Sequence, residues 1–183
     1  IKSYDNFSTN GLVELDIINL HKKIGLHAIV TVSETEIERA AKLRDYLGIP
    51  GQNLTSAMAY RDKVIMKQYA KNGGIRVPNF SSIDNAVDLI EFINENNYPV
   101  FVKPKTSAGS VGAQKIQDYK ELKMFFSKDY ITINSTDSYS TYDKRYEVEN
   151  YIDNDFYCIN GVICQKDLLL CHVSKYNTHV DLE

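Results

Sequence analysis

The sequence predicts an α/β protein, and three observations favour this fold class. Amphipathic segments of helical length alternate with short apolar segments of strand length. Glycine or proline follows most of these segments, which is typical of the ends of helices and strands. The chain has 183 residues, of which 43% are hydrophobic, so it can bury a core. Its length fits one full domain or two small lobes.

The first 48 residues are predicted to form a helix, a strand and a second helix. Apolar residues recur at helical spacing over 12–24, and a glycine follows as a stop signal. The β-branched, apolar run 28–32 predicts a buried strand. Ser33 and Glu36 have the spacing of a capping box and are expected to open the next helix, which Gly48 closes. This order is typical of the end of an α/β layer.

The middle of the chain is predicted to hold two helices, a strand and a loop of small residues. One helix is expected over 58–72, where two glycines end it, and another over 84–96. The apolar segment 99–104 predicts a short strand. The small-residue loop 105–112 follows this strand directly.

The last third of the chain is predicted to contain mostly strands. A helix is expected over 119–126, and Asn160-Gly161 is expected at a turn or bulge. The polar stretch 134–143 is expected to be a mobile loop. The predicted strands are 147–152, 156–163 and 168–176.

Composition and charge exclude several kinds of partner. The net charge is −3, from 21 basic and 24 acidic residues, so no broad basic surface for nucleic acid or membranes is expected. No apolar run reaches the roughly 18 to 20 residues that span a bilayer. Cys158, Cys164 and Cys171 form no Cys-x-x-Cys pair, which favours reduced thiols in a cytoplasmic protein. Small molecules are the expected partners.

The loop 107–112 is a candidate phosphate-binding segment. Its residues are small enough for backbone N–H groups to approach an anion, and Ser110 adds a hydroxyl donor. It is not a P-loop, because no lysine and hydroxyl residue follow its last glycine. A flexible hairpin of small residues remains the alternative interpretation.

Three charged residues have both a functional and an ordinary interpretation. Lys103 ends an apolar strand beside the loop, where its ammonium would neutralise a phosphate, but a surface lysine is the alternative. Lys63, on a predicted helix, has the same two interpretations. Glu149 lies in a strand with alternating acids, which either form a solvated face or mark a segment that binds adenine.

The sequence contains no pattern for serine, cysteine or zinc hydrolysis. Neither a G-x-S-x-G nor an H-E-x-x-H sequence occurs, and the histidines have no metal-ligand spacing. No catalytic residue and no metal ligand is therefore assigned in this chain.

Five short motifs, taken in order, resemble those of the ATP-grasp superfamily. This group contains biotin carboxylase, carbamoyl-phosphate synthetase and the D-alanine and L-amino-acid ligases. Each motif is weak alone, but the order and approximate spacing of all five match the family. The motifs are RDK at 61–63, GIRVP at 74–78, YPVFVKP at 98–104, SAGSVG at 107–112 and VENYI at 148–152.

The resemblance implies a nucleotide-binding site. Lys63 and Lys103 would contact the phosphates of ATP, and the 107–112 loop would close over them as a lid. The implied lid residues are Ser107, Gly109, Ser110 and Gly112. The residues implied to hold adenine are Glu149, Asn150 and Ile152. Many relatives carry an acid near position 156 that binds the ribose, and Asp155 is the substitute here.

The resemblance also implies how the chain is divided. Residues 1–57 would be the end of a preceding Rossmann-like α/β domain. Residues 58–152 would be the ATP-grasp helices and the α+β lid subdomain, and 153–183 the start of a truncated C-terminal lobe. The acids that bind Mg²⁺ in this family are expected beyond residue 183.

The implied reaction is ATP-dependent ligation of a carboxylate to an amine through an acyl phosphate, with the fragment alone inactive. Two alternatives are a small-molecule kinase on the same fold and a nucleotide-binding module without turnover. The substrates are not readable from the sequence, and homo-oligomerisation is left open.

Overall fold

The computed structural model of the chain describes residues 1–127, 146–165 and 167–176. The stretch 134–143, predicted as a loop, lies outside these residues, as do residues 177–183 of the predicted C-terminal lobe.

The mixture of helices and sheet confirms the predicted fold class. The helices are α1 (Leu12–Ile24), α2 (Ile37–Leu47), α3 (Leu54–Arg61), α4 (Lys63–Asn72), α5 (Ala86–Asn96) and α6 (Tyr119–Ser127). The strands are β1 (Phe80–Ile83), β2 (Val100–Pro104), β3 (Gln114–Ile116), β4 (Tyr146–Asn150), β5 (Tyr157–Cys164) and β6 (Asp167–Lys175).

The first two helices end where glycines predict. Gly25 and Gly48 both adopt the left-handed conformation, with φ of 67° and 66°, and cap α1 and α2. The strand predicted at 28–32 is wrong. Val30 and Val32 are 84% and 102% exposed, and no strand of the described residues lies beside them. Strand-forming residues do not make a strand without a partner to complete its hydrogen bonds.

The predicted capping box at the start of α2 is also wrong. A turn of 3-10 helix, Glu34–Glu36, precedes α2, so Ser33 does not lie next to the α-helix. The Ser33 hydroxyl contacts the Thr35 hydroxyl at 2.9 Å, and the carboxylate of Glu36 pairs with Arg39 at 3.2 Å. Neither side chain makes the capping hydrogen bonds that the prediction requires.

The single helix predicted over 58–72 is divided in two by Asp62. The backbone of Asp62 is extended, and its carboxylate accepts hydrogen bonds from the amides of Val64 at 2.8 Å and Ile65 at 3.1 Å. An aspartate in this position caps a new helix rather than continuing the old one. The break makes Lys63 the first residue of α4, and its amide donates to the carbonyl of Lys105 at 3.0 Å.

A four-stranded antiparallel sheet organises the middle of the described chain. Its strand order is β1-β4-β2-β3. The two short outer strands were not predicted, because one carries two serines and the other has three residues. Alternate side chains of β2 point to opposite faces, so Val100 and Val102 are fully buried while Lys103 lies on the other face.

The apolar face of this sheet packs against α5 and α6. Leu89 is fully buried there, beside strands β2 and β4. The cluster consists of Ile83, Leu89, Phe92, Ile93, Val100, Val102, Ile116, Leu122, Phe125, Tyr146 and Val148.

Strands β5 and β6 form a separate antiparallel hairpin. Asn160 and Gly161, predicted at a turn or bulge, lie within the ladder opposite His172 and Cys171, and the register shift comes between Val162 and Ile163. This strand position favours glycine, because a Cβ at Gly161 would lie 2.9 Å from the carbonyl oxygen of Leu170. None of the described helices is long and apolar enough to cross a membrane.

Candidate functional site

The polar face of the sheet brings together three of the charged residues of the central strands. In the antiparallel pairing of β2 with β4, Lys103 lies opposite Glu147, and Phe101 lies opposite Glu149. Because side chains alternate along a strand, Lys103, Glu147 and Glu149 all point to the face opposite the apolar core. Two carboxylates and an ammonium group thus share one surface of the sheet.

Helix α4 adds a fourth charge to this surface. The Nζ of Lys67 lies 2.5 Å from Oε1 of Glu147 and 2.6 Å from Oε2 of Glu149. The Nζ of Lys103 lies 2.5 Å from Oε1 of Glu149 and 3.5 Å from Oε1 of Glu147. We call Lys67, Lys103, Glu147 and Glu149 the charge cluster. Its two positive and two negative charges balance.

The charge cluster is shielded from solvent. The side chain of Glu147 is 0% exposed, and those of Lys67 and Glu149 are each 13% exposed. The interpretation of these alternating acids as a solvated face is therefore wrong. Burial pushes the pKa of Glu149 upward, but Lys103 and Lys67 together outweigh burial, so the pKa of Glu149 lies below its ordinary value.

Lys63 lies at the base of the 107–112 loop. Its Nζ donates to the carbonyl oxygens of Pro104 at 3.0 Å, Lys105 at 3.1 Å and Ser107 at 2.6 Å. Burial lowers the pKa of Lys63 to about 8, and the like charge of Lys103 acts in the same direction. An anion bound beside these two lysines would favour the charged form of Lys63.

The 107–112 loop consists of tight turns. Gly109, Ser110 and Gly112 all have positive φ, at 65°, 61° and 73°. This conformation is uncommon for a residue with a side chain, so Ser110 is held in an unusual backbone geometry. The amide of Ala113 donates to the carbonyl of Ser110 at 3.1 Å, and the hydroxyl of Ser107 contacts the carbonyl of Pro104 at 3.4 Å.

The remaining predicted residues lie at and beyond the end of β4. The amide of Asn150 donates to the carbonyl of Asn79 at 3.0 Å, and its side chain donates to the carbonyl of Asn96 at 3.4 Å. Ile152 follows the strand and is 57% exposed. Asp155 pairs with Lys175 at 2.7 Å, beside the hairpin of β5 and β6.

The sequence alone did not single out three residues that the structure places at this site. Lys67 lies one helical turn after Lys63, and Glu147 lies two residues before Glu149, so each shares a face with a predicted residue. These spacings are the signals that point to them. Arg61 is the third, and its guanidinium donates to the carbonyl of Thr106 next to the loop.

The arrangement suits a polyphosphate better than a metal ion by itself. Lys63 and Lys103 place two positive charges at the root of a loop of small residues. A bound anion would offset the repulsion between these charges. Among the residues that the structure describes, no group of three histidine, cysteine or acidic side chains could hold a metal.

Two curated enzymes are similar in sequence. D-alanine–D-alanine ligase of Chlorobaculum tepidum is 34% identical over 87 residues, which are 43% of this chain and 24% of the enzyme. The L-arginine-specific L-amino acid ligase of Bacillus subtilis is 25% identical over 150 residues, which are 81% of this chain and 35% of the enzyme. The chain thus spans about a quarter to a third of these relatives. No family model matches the sequence.

Solved structures of similar proteins share the fold. The L-amino acid ligase from Bacillus licheniformis superposes with a TM-score of 0.68 at 19% identity, covering 93% of this chain and 38% of the ligase. The biotin carboxylase domain of Hydrogenobacter thermophilus 2-oxoglutarate carboxylase, a dimer in complex with MgADP and bicarbonate, superposes with a TM-score of 0.65 at 21% identity. That match covers 80% of this chain and 33% of the domain. The resemblance drawn from the motif order is confirmed: the chain carries part of the ATP-grasp fold.

Proposed function

We propose that this chain is the ATP-binding portion of an ATP-grasp ligase that joins a carboxylate to an amine. The observation that carries the proposal is the position of Lys63 and Lys103 at the root of the 107–112 loop, with Glu149 across the β2–β4 ladder. The sequence similarity to D-alanine–D-alanine ligase and to an L-amino acid ligase supports this class of reaction.

In the proposed reaction, a substrate carboxylate attacks the γ-phosphorus of ATP. The bond between that phosphorus and the bridging oxygen breaks, ADP leaves, and an acyl phosphate forms. The amine then attacks the acyl carbon and displaces inorganic phosphate, with loss of a proton from nitrogen. Positioning and charge neutralisation are the main requirements of such a phosphoryl transfer, so no protein nucleophile is needed.

The proposed roles follow from the chemistry of each group. Lys63 and Lys103 neutralise phosphate charge, and the backbone of the loop, with Ser107, Gly109, Ser110 and Gly112, covers the phosphates. The carboxylate of Glu149 accepts a hydrogen bond from the amino group of adenine. Ile152 contacts the ring, and Asn150, whose side chain is bound to the carbonyl of Asn96, contributes its backbone at the end of β4.

Magnesium is part of the proposal, but its ligands are not assigned. When bound, the ion would neutralise charge on the phosphates that are transferred and released. As the motif resemblance implies, we propose that acidic ligands of the ion lie beyond residue 183. The proposed division into residues 1–57, 58–152 and 153–183 agrees with this assignment. The chain alone would then bind ATP without ligating substrates, and a cytoplasmic location stays a prediction.

Calorimetric titration with Mg²⁺ and ATP tests the nucleotide site. We expect the chain to bind ATP and Lys103→Ala to bind at least about tenfold more weakly, because a charged hydrogen bond to phosphate is lost. Lys120→Ala is the matched control, since Lys120 is exposed on α6, the helix that covers the opposite face of the sheet. Equal affinity of Lys103→Ala and the unchanged chain would overturn the assignment.

The reaction is tested in protein extended beyond residue 183, by measuring ADP release with panels of carboxylates and amines. A ligase releases ADP only when a carboxylate is present and forms product only with an amine. ADP release with phosphorylated product and no amine requirement would identify a small-molecule kinase instead. Tight ATP binding without turnover on any pair would identify a non-catalytic module.

A further inference from the structure

We propose that Lys67 is a positioning residue that holds one oxygen of the Glu149 carboxylate. The other oxygen can then change its hydrogen-bond partner from Lys103 to a bound nucleotide. The inference rests on the proposed nucleotide site and deepens it. Lys67 belongs to none of the motifs that carry the family resemblance, and its role follows only from the contacts of the charge cluster.

The two oxygens of Glu149 have different partners. Oε2 lies 2.6 Å from Lys67, and Oε1 lies 2.5 Å from Lys103. Two of the predicted nucleotide-binding residues, Lys103 and Glu149, are therefore paired with each other in this structure. A nucleotide that needs both of them has to separate this pair.

Lys67 is held much more firmly than Lys103. Its ammonium also lies 2.5 Å from Oε1 of Glu147, whereas the ammonium of Lys103 is 3.5 Å from that oxygen. Glu147 is fully buried, and its second oxygen has no hydrogen-bond partner among the residues that the structure describes. Moving Lys67 away would leave a buried carboxylate without close compensation, which is costly. Lys103 is thus the lysine that can turn away.

This asymmetry gives Lys67 a function when ligand binds. If a phosphate takes Lys103, then Lys67 keeps Glu149 ionised and oriented, and Oε1 becomes available to accept from the adenine amino group. Without Lys67, Lys103 is the one lysine of the charge cluster left to compensate both Glu147 and Glu149. Lys103 would then stay with the carboxylates, and the nucleotide would lose both partners.

The test compares Lys67→Met with Lys67→Arg, which retains the charge and can still bridge two carboxylates. Lys71→Met is the matched control, because Lys71 is exposed one helical turn further along α4. Lys67→Gln is the second neutral variant, in case Lys67→Met fails to fold. Two quantities are measured: the pKa of the Glu149 carboxyl in ligand-free protein, by NMR, and the affinities for ATP and for inorganic tripolyphosphate, by calorimetry.

We expect the neutral variants to raise the pKa of Glu149 and to weaken ATP binding by at least about tenfold. Tripolyphosphate, which has no adenine, should lose less, so the advantage of ATP over tripolyphosphate shrinks. Lys67→Arg should restore both quantities, and Lys71→Met should change neither. The groups that face Glu149 are Lys67 from α4, Lys103 from β2 and Glu147 on the same strand.

Several outcomes would overturn the inference. If Lys67→Met lowers thermal stability but changes neither the pKa of Glu149 nor the two affinities, then Lys67 only stabilises the fold. Equal losses of ATP and tripolyphosphate would mean that Lys67 contacts phosphate directly. If the unchanged chain binds neither ligand, the proposed nucleotide site fails, while the pKa measured without ligand still decides whether Lys67 holds Glu149.

Discussion

Four ionised side chains share a shielded surface because each lies within reach of an opposite charge. Glu147 is the most buried of them, and Lys67 is its close partner. A buried carboxylate is tolerated only with such compensation, and breaking a buried pair typically costs about 3–5 kcal/mol. The cluster therefore supports the fold as well as the candidate site. For variants of its residues, both the free energy of unfolding and the affinity for ATP should be measured.

At Lys63, the lowered pKa leads to a pH-dependent prediction. Phosphate favours the ammonium form, and this form is lost from the free protein as the pH rises through about 8. ATP affinity should therefore be constant below this pH and decline above it. In Lys63→Arg the decline should be absent, because a guanidinium stays protonated throughout this range.

The measurement is calorimetric titration with ATP from about pH 7 to about pH 10, a range that contains the lysine titration but lies above the last phosphate ionisation of the ligand. Lys63→Arg also controls for all other groups of the protein, because the two proteins differ only at residue 63. The same decline in both proteins would show that Lys63 is not its source.

Single residues of the site were readable from the sequence, but their contacts were not. Lys103 and Glu149 stood out because each follows apolar strand residues in a recognisable motif. Their pairing depends on the register of β2 against β4, and those strands are separated by more than 40 residues. The sequence allows a solvated face as one interpretation of Glu147 and Glu149, because nothing local to the strand reveals that α4 covers them.

At the scale of whole elements, the short break between α3 and α4 has a large effect on the site. Asp62 ends one helix and caps the next, which directs Lys63 towards the carbonyl groups at the root of the loop. A continuous helix would give Lys63 a different direction. The position of this lysine is thus fixed by the residue before it.

Removal of this cap should destabilise the protein without a change in charge pairing elsewhere. Asp62→Ala should lower the free energy of unfolding by about 0.5–2 kcal/mol, because the amides of Val64 and Ile65 lose their acceptor. Asp62→Asn keeps an acceptor oxygen and should lose much less. Urea denaturation measures both variants, and an equal loss in the two would attribute the effect to charge instead of capping.

Helices were predicted more accurately than strands, for a physical reason. The C-terminal ends of α1 and α4 depend on local glycines, so the sequence predicts the positions of these ends accurately. A strand depends on its neighbour, and this dependence explains both kinds of error. Residues 28–32 have the composition of a strand but no partner in the described residues, whereas the two-serine strand β1 forms because β4 lies beside it.

For the molecule as a whole, the sheet separates the apolar cluster from the charge cluster. One face carries the apolar cluster beneath α5 and α6, and the other carries the charge cluster beneath α4. Strand alternation places the two sets of side chains on the same strands but in opposite directions. Changes to one face should therefore leave the other face largely intact while the protein stays folded.

Leu89→Ala tests this separation. Leu89 is fully buried in the apolar cluster, so its truncation should lower the free energy of unfolding by about 2–5 kcal/mol. Val87→Ala on the same helix is the control, because Val87 is 57% exposed and little burial is lost. Below the unfolding transition, Leu89→Ala should bind ATP as tightly as the unchanged chain. A loss of affinity comparable to that of Lys103→Ala would show instead that core packing is transmitted through β2 and β4 to the charge cluster, and that the two faces of the sheet act as one unit.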